Sequence, residues 1–179
     1  MLNEWRLGIL EKDIFSRGFF AGVIAGVAML TWGLLAGGLH IPHLRIVDWM
    51  AIMIFAHAPA FEVIETVIAM LANIFFCGII GIVFAYMIAL IKNKNIYLKG
   101  WIFSLTVWFS IYVITTIYKV VGTIPTSVET TILNFVGASV YGFALAYATS
   151  KLLFAEKTSS YKVNMAPAMK PADNRDNEE

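Results

Sequence analysis

The sequence is short of the residues on which soluble proteins and enzymes depend. Of its 179 residues, 14% are charged, compared with about 25% in soluble domains. A single cysteine, Cys77, excludes a disulfide framework, and a net charge of +1 gives no sign of nucleic-acid binding. The HExxH, GxSxG, P-loop and dinucleotide-binding motifs are all absent. We therefore predict a protein without catalytic activity, without a nucleic-acid partner and without a cofactor, apart from the metal considered below.

Apolar residues are abundant instead. They make up 59% of the chain, compared with roughly 45–50% in soluble domains. A protein of this size has too little interior to bury them, so the lipid bilayer must cover the rest. Apolar runs long enough to span a membrane occur at about 18–39, 60–91, 100–119 and 127–153. The sequence predicts an all-α bundle of four transmembrane helices in the cell membrane.

The segments outside these spans differ in character. Apolar residues at helical spacing in 1–17 predict an N-terminal segment that lies in the membrane interface. The stretch 155–179 is polar and poor in aliphatic residues, which predicts a disordered tail. The run WMAIMIFA at 49–56 is too short to span the bilayer, so we expect a re-entrant or interfacial helix between the first two spans, with Asp48 as its N-cap.

The distribution of positive charge predicts the orientation. Arg45 and Lys119 are the lysines and arginines on one side of the predicted bundle, and all the others lie on the side of the two termini. Cytoplasmic loops carry the excess of lysine and arginine in membrane proteins. We therefore expect both termini, and with them the tail, to be cytoplasmic.

Small residues recur at every fourth position on three of the predicted helices. Such stripes allow the backbones of two helices to approach closely. Gly33 and Gly37 repeat the spacing near the end of the first helix, whereas the third helix has no such stripe and is expected to face lipid most. The stripes predict packing within the chain or assembly as a homo-oligomer or as an accessory subunit. The packing residues are Gly18, Gly22, Gly26, Gly81, Ala85, Ala138 and Gly142.

All three histidines and three of the acidic residues fall in one stretch, 40–65. Imidazole and carboxylate groups are ligands for zinc, copper, iron and nickel. A divalent transition metal site, and with it a metal- or proton-responsive transporter-like or sensory protein, is thus one hypothesis. The alternative is that these groups stand at the water boundary and at a helix start, where the helix dipole favours acids. The candidate ligands are His40, His43, His57, Glu62 and Glu65.

Two asparagines lie on the small-residue stripes of the second and fourth predicted helices. Asn73 and Asn134 predict a polar cavity that opens outward, with Glu65 at its mouth. The alternative is hydrogen bonding between helices, at about 0.6–2 kcal/mol per contact. No charged residue stands at the centre of any predicted span, which argues against an ion-coupled transporter.

Parts of the chain resemble a known family. The segments GWIFSLTVW at 100–108 and TTILNFVGASVYGFALAYATS at 130–150 resemble the second half of the YqhR-like four-helix membrane proteins of spore-forming bacteria. The opening GFFAGVIAG at 18–26 is similar to the glycine-rich start of that family. The resemblance implies a four-helix topology over about 17–150. The family has no assigned activity, so the resemblance implies no functional residues.

Overall fold

The described part of the chain folds into five helices. The computed structural model describes residues 2–38, 44–91 and 95–165, and all regular secondary structure in these ranges is helical, which confirms the all-α prediction. The helices are α1 (Leu2–Gly38), α2 (Ile46–Phe55), α3 (Val63–Leu90), α4 (Ile96–Ile117) and α5 (Val128–Met165).

Four of these helices contain segments long and apolar enough to cross a membrane, as predicted. In hydrocarbon, every backbone polar group must be paired within the protein, and a helix achieves this within one segment. Even the glycine-rich stretch of α1 therefore stays helical. The four segments are Ile14–Gly38, Val63–Leu90, Ile96–Ile117 and Val128–Leu153.

The ends of the helices differ from the predicted bounds. α1 begins at Leu2, so residues 2–17 continue directly into the first span. α5 continues to Met165, past the predicted end of the fourth span, and residues 166–179 of the predicted tail lie outside the described residues. The prediction that Asp48 is the N-cap of α2 is wrong. Arg45 holds that place, and Asp48 in the first turn accepts the Arg45 amide hydrogen at 2.8 Å.

The long helices pack in the spatial order α3, α1, α5, α4. α1 contacts both α3 and α5, α4 packs on α5, and the short α2 lies against α3. The two outer members of this row, α3 and α4, make sparse contact with each other. α4 also has the smallest buried share of the four spans, 17% compared with 44% for α5, in agreement with the prediction that it faces lipid most. The bundle is therefore open between α3 and α4.

Close packing of small residues joins neighbouring helices. A Cβ atom added to Gly22 would overlap the backbone of Cys77 and Gly78 in α3, and one added to Gly18 would stand 2.8 Å from the Cβ of Ala85. α4 and α5 approach in the same way, since a Cβ at Gly100 would lie 2.6 Å from the carbonyl oxygen of Gly142. The predicted stripes are thus used between helices of one chain. The sequence analysis missed the contact made by Gly100.

Hydrogen bonds also join α5 to α3 and to α4. The Tyr141 hydroxyl of α5 donates to the Cys77 carbonyl of α3 at 2.9 Å. The Ser104 hydroxyl of α4 donates to the Ala138 carbonyl at 2.5 Å, and the Trp101 indole donates to Ser139 at 3.0 Å. Bonds of this kind between membrane helices contribute about 0.6–2 kcal/mol each. They fix the register of α5 against α3 and α4.

Candidate functional site

A cavity of about 420 Å³ lies where α3 and α4 separate. α2 closes one end of it, and α1 and α5 form its back wall. Its size falls within the range of small-molecule sites, about 300–1,000 Å³. Its wall is mainly apolar and aromatic. The lining residues are Met29, Ile46, Trp49, Met50, Met53, Asn73, Phe76, Cys77, Ile80, Ser104, Val107, Trp108, Ile111, Tyr112, Ile114, Asn134, Ala138 and Tyr141.

The cavity opens to the outer surface of the bundle. Three of the lining side chains are exposed there: Met53 of α2 by 50%, Phe76 of α3 by 40% and Ile114 of α4 by 49%. All three are apolar, and two belong to helices that can span a membrane. A molecule dissolved in the hydrocarbon of the bilayer would meet this opening directly.

Most polar groups on the wall are bonded within the protein. The Asn134 amide donates to the Leu44 carbonyl at 3.1 Å and to the Tyr112 hydroxyl at 3.2 Å. The Cys77 thiol donates to the Asn73 side-chain oxygen at 3.5 Å. The lining described above contains no aspartate, glutamate, lysine, arginine or histidine. The wall therefore presents an uncharged surface.

Two indole N–H groups on the wall differ from the rest. The Nε1 atoms of Trp49 and Trp108 are buried and have no hydrogen-bond partner among the described residues. Both rings pack on Tyr112, with centroids 4.7 Å and 4.8 Å from its ring. A buried donor without a partner costs about 1–3 kcal/mol. Both nitrogens are enclosed by the surrounding side chains, so the wall that the cavity presents is almost wholly apolar.

α2 is held at its position by α5. The Leu44 amide donates to the Thr130 hydroxyl at 3.1 Å, and the Leu44 carbonyl accepts from Asn134. Arg45 and the buried Asp48 then form a two-point ion pair, with nitrogen–oxygen distances of 2.9 and 3.1 Å. This bond to Asp48 raises the pKa of Arg45, so Arg45 keeps its charge. The start of α2 is therefore held by bonds to α5 and by an ion pair within its own first turn.

The proposed metal ligands come together in part. His57 Nε2 lies 3.2 Å from Glu65 Oε1, while the other Glu65 oxygen accepts the Glu62 amide hydrogen at 2.8 Å. His40 and His43 lie outside the described residues. Across the described ranges, no three histidine, cysteine, aspartate or glutamate side chains are close enough to hold a metal ion. Glu65 thus serves as a cap of α3 and as a partner of His57.

His57 stands in the loop between α2 and α3. Its Nδ1 lies 2.9 Å from the Ala58 carbonyl oxygen. This backbone bond, followed by the bond to Glu65, raises the pKa of His57. Protonation makes both ring nitrogens donors, which matches the two acceptors that His57 faces.

The predicted cavity residues are divided between two places. Asn73 and Asn134 both line the cavity between α3 and α4, whereas Glu65 does not. The sequence analysis missed Trp49, Trp108 and Tyr112. The sequence did carry a signal for Trp108 and Tyr112, which are four residues apart and therefore share one face of α4. Trp49 reaches the same place through the tertiary position of α2.

Comparisons with protein-family models, with curated proteins and with solved structures found no match to this chain.

Proposed function

We propose that this chain is a multi-pass cell-membrane protein that acts without catalysis, as a homo-oligomer or as an accessory subunit of a membrane complex. The four apolar helices support the first part of the proposal. The second part rests on one observation, a small-residue face on α1 that remains open.

That face follows directly on the packed part of α1. There, α3 packs directly against Gly18, Gly22 and Gly26. In contrast, nothing among the described residues lies within 4 Å of a Cβ added to Gly33 or Gly37. At 100° per residue, Gly33 and Gly37 lie within about 20° of Gly26 around the helix. The same type of surface that receives α3 therefore continues without a partner, and suits another transmembrane helix.

The test is to place larger side chains on this face, so that a second helix can no longer approach it. The Gly33→Leu, Gly37→Leu double variant should shift the purified protein from an oligomer to a smaller species in detergent, measured by size-exclusion chromatography with light scattering. Gly38→Leu is the matched control, because the same side chain is then added about 100° from Gly37 and about 140° from Gly33 around α1. It should leave the mass unchanged.

A second arm separates the accessory-subunit form of the proposal. If the purified chain is a monomer, affinity isolation from its native membrane should recover a partner with the wild type and lose it with the double variant. A double variant that keeps both the oligomeric mass and the native partner would refute the role of this face.

The charge distribution supports an orientation with both termini in the cytoplasm. In this orientation α2 is a re-entrant helix on the outer side. Leu44, just before α2, bonds to Thr130 and Asn134. These two residues belong to α5 itself and not to the loop before it. Reporter enzymes fused to the C-terminus and to the loop after α4 test this orientation. An active periplasmic reporter at the C-terminus would contradict it.

The short distance between His57 and Glu65 favours the alternative, a metal- or proton-responsive protein with its site on the outer side. Metal analysis of the purified wild type should then find a stoichiometric transition metal that His57→Ala loses. A metal content equal in the two proteins would reject the metal-responsive form of this alternative.

A further inference from the structure

We propose that one end of the bundle binds the headgroup of an anionic phospholipid through Arg17, Lys99 and Lys151. These three residues are called the basic rim below. The inference goes beyond the proposed function and does not depend on the oligomeric state. It rests on the position of the three cations, on the separation of charge in the bundle and on the exposed tyrosines beside them.

Helix packing brings the members of the basic rim to the same end of the bundle. The Arg17 guanidinium of α1 donates to the Leu152 carbonyl of α5 at 2.9 Å, next to Lys151. Lys99 adjoins Gly100 in α4, and a Cβ atom added to Gly100 would stand 2.8 Å from the Cβ of Ala146 in α5. The start of α1 and the start of α4 therefore lie beside the last turns of the α5 span.

The charges of segment 14–153 are separated between the two ends of the bundle. Among its described residues, the basic rim supplies all the charge of one end, and none of it is acidic. The charged residues of the opposite end are Arg45, Asp48, Glu62, Glu65, Lys119 and Glu129. The first turn of α4 contains no acidic residue, and the amino end of its helix dipole adds to the positive potential there. The basic rim thus attracts a negatively charged group.

The basic rim stands at the depth of the lipid headgroups. The apolar segments begin at Ile14 in α1 and at Ile96 in α4, and that of α5 ends at Leu153. Each cation is two or three residues inside the end of its segment, which is about 3–5 Å along the helix axis. Long basic side chains at this depth extend to the membrane surface. They therefore meet the phosphate groups of lipids.

Exposed tyrosines mark the same level. Tyr97 of α4 and Tyr147 of α5 are 49% and 54% exposed, and Lys151 Nζ lies 5.8 Å from the centre of the Tyr147 ring. Tyrosine is enriched where the hydrocarbon meets the headgroups. Each lysine or arginine near the membrane surface strengthens the attraction of anionic lipids by about 5-fold. The occupant is therefore a phospholipid with a net negative charge.

The test uses the full chain in a maltoside detergent and radiolabelled dioleoylphosphatidylglycerol. Binding should be saturable. Unlabelled dioleoylphosphatidylglycerol should displace the label at least about 10-fold better than dioleoylphosphatidylcholine, which has the same acyl chains and no net charge. Equal displacement by the two lipids would refute the proposal. Displacement by sodium phosphate at the same concentrations would show that the site takes free phosphate, and would overturn the assignment of a lipid.

Matched variants locate the site. Lys99→Gln and Lys151→Gln each remove one cation of the basic rim, so each should weaken phosphatidylglycerol binding by about 5-fold and leave phosphatidylcholine binding unchanged. Lys151→Arg keeps the charge and should bind as the wild type does. Lys119→Gln makes the same change in net charge at the opposite end of the bundle, and should leave the affinity unchanged.

Circular dichroism confirms that each variant compared is folded. If Lys119→Gln loses as much affinity as the other two glutamine variants, the lipid responds to net charge alone and the basic rim is not its site. Folded Lys99→Gln and Lys151→Gln variants with wild-type affinity would also contradict the proposal.

Discussion

The contact between α1 and α3 at Gly22 leads to a quantitative prediction about stability. In Gly22→Ala, the new methyl carbon would stand 2.9 Å from the Cys77 carbonyl carbon and 2.9 Å from the Gly78 Cα. Carbon atoms in contact prefer about 3.5–4.0 Å. Because the opposing atoms belong to the backbone of α3, no side-chain rotation relieves the overlap. The two helices must separate by about 1 Å at this point.

The cost follows from this separation. Forcing one extra methyl group into a packed interior typically destabilises a protein by about 1–3 kcal/mol, and each kcal/mol lowers the Tm of a chain of this size by roughly 2–4 °C. Gly22→Ala should therefore lower the Tm by about 2–12 °C. A thermal unfolding series in one detergent, followed by circular dichroism, measures this change.

Gly38→Ala provides the matched control on the same helix, away from the face of Gly33 and Gly37. The added methyl group meets nothing within 4 Å among the described residues, and alanine has a higher helix propensity than glycine. Its Tm should equal or exceed that of the wild type. If Gly22→Ala and Gly38→Ala unfold at the same temperature, the close approach of α1 and α3 is not what stabilises this bundle.

Three other changes have defined outcomes. Tyr141→Phe removes the hydroxyl that donates to the Cys77 carbonyl, and should lower the free energy of unfolding by about 0.6–2 kcal/mol in the same assay. Asn134→Leu removes the donor to the Leu44 carbonyl and to the Tyr112 hydroxyl, and should speed hydrogen exchange in α2. The pKa of His57 is raised, chiefly by the bond to the Ala58 carbonyl and then by Glu65. The loop is thus fully stabilised below pH of about 6.5 and loses this contribution as the pH rises through the folded-state pKa. An NMR titration should find this pKa above 6.5 in the wild type and lower in Glu65→Gln, and equal values would contradict the role of Glu65.

The sequence was sufficient to predict the helices because hydropathy and length decide which segments suit a bilayer. It also marked Gly18, Gly22 and Gly26 as sites of close approach, since a glycine every fourth residue leaves a groove in the helix surface. It did not identify the partner of that groove. The choice of α3 depends on how the chain returns after α2, and local spacing carries no information on this path.

The candidate site was less predictable for a physical reason. The cavity exists because α3 and α4 diverge, and this divergence is set by the separate packing of α3 on α1 and of α4 on α5. Asn73 and Asn134 stood out as polar residues on apolar helices, and both line the cavity. Trp49 did not, because aromatic residues are common near membrane boundaries and its unpaired N–H becomes evident only when the neighbouring atoms are known.

The bonds of Leu44 have a consequence for the order in which the chain is assembled. Its amide and carbonyl are paired with Thr130 and Asn134, side chains of α5, which leaves the ribosome after the other four helices. Until α5 has inserted, the backbone just before α2 has neither partner, and unpaired backbone groups are not tolerated in hydrocarbon. With the proposed re-entrant placement, we therefore expect α2 to stay at the aqueous boundary during synthesis and to take its final place only after α5 has inserted. A chain truncated before residue 128 should expose the α2 segment to a water-soluble protease that cannot reach it in the complete protein.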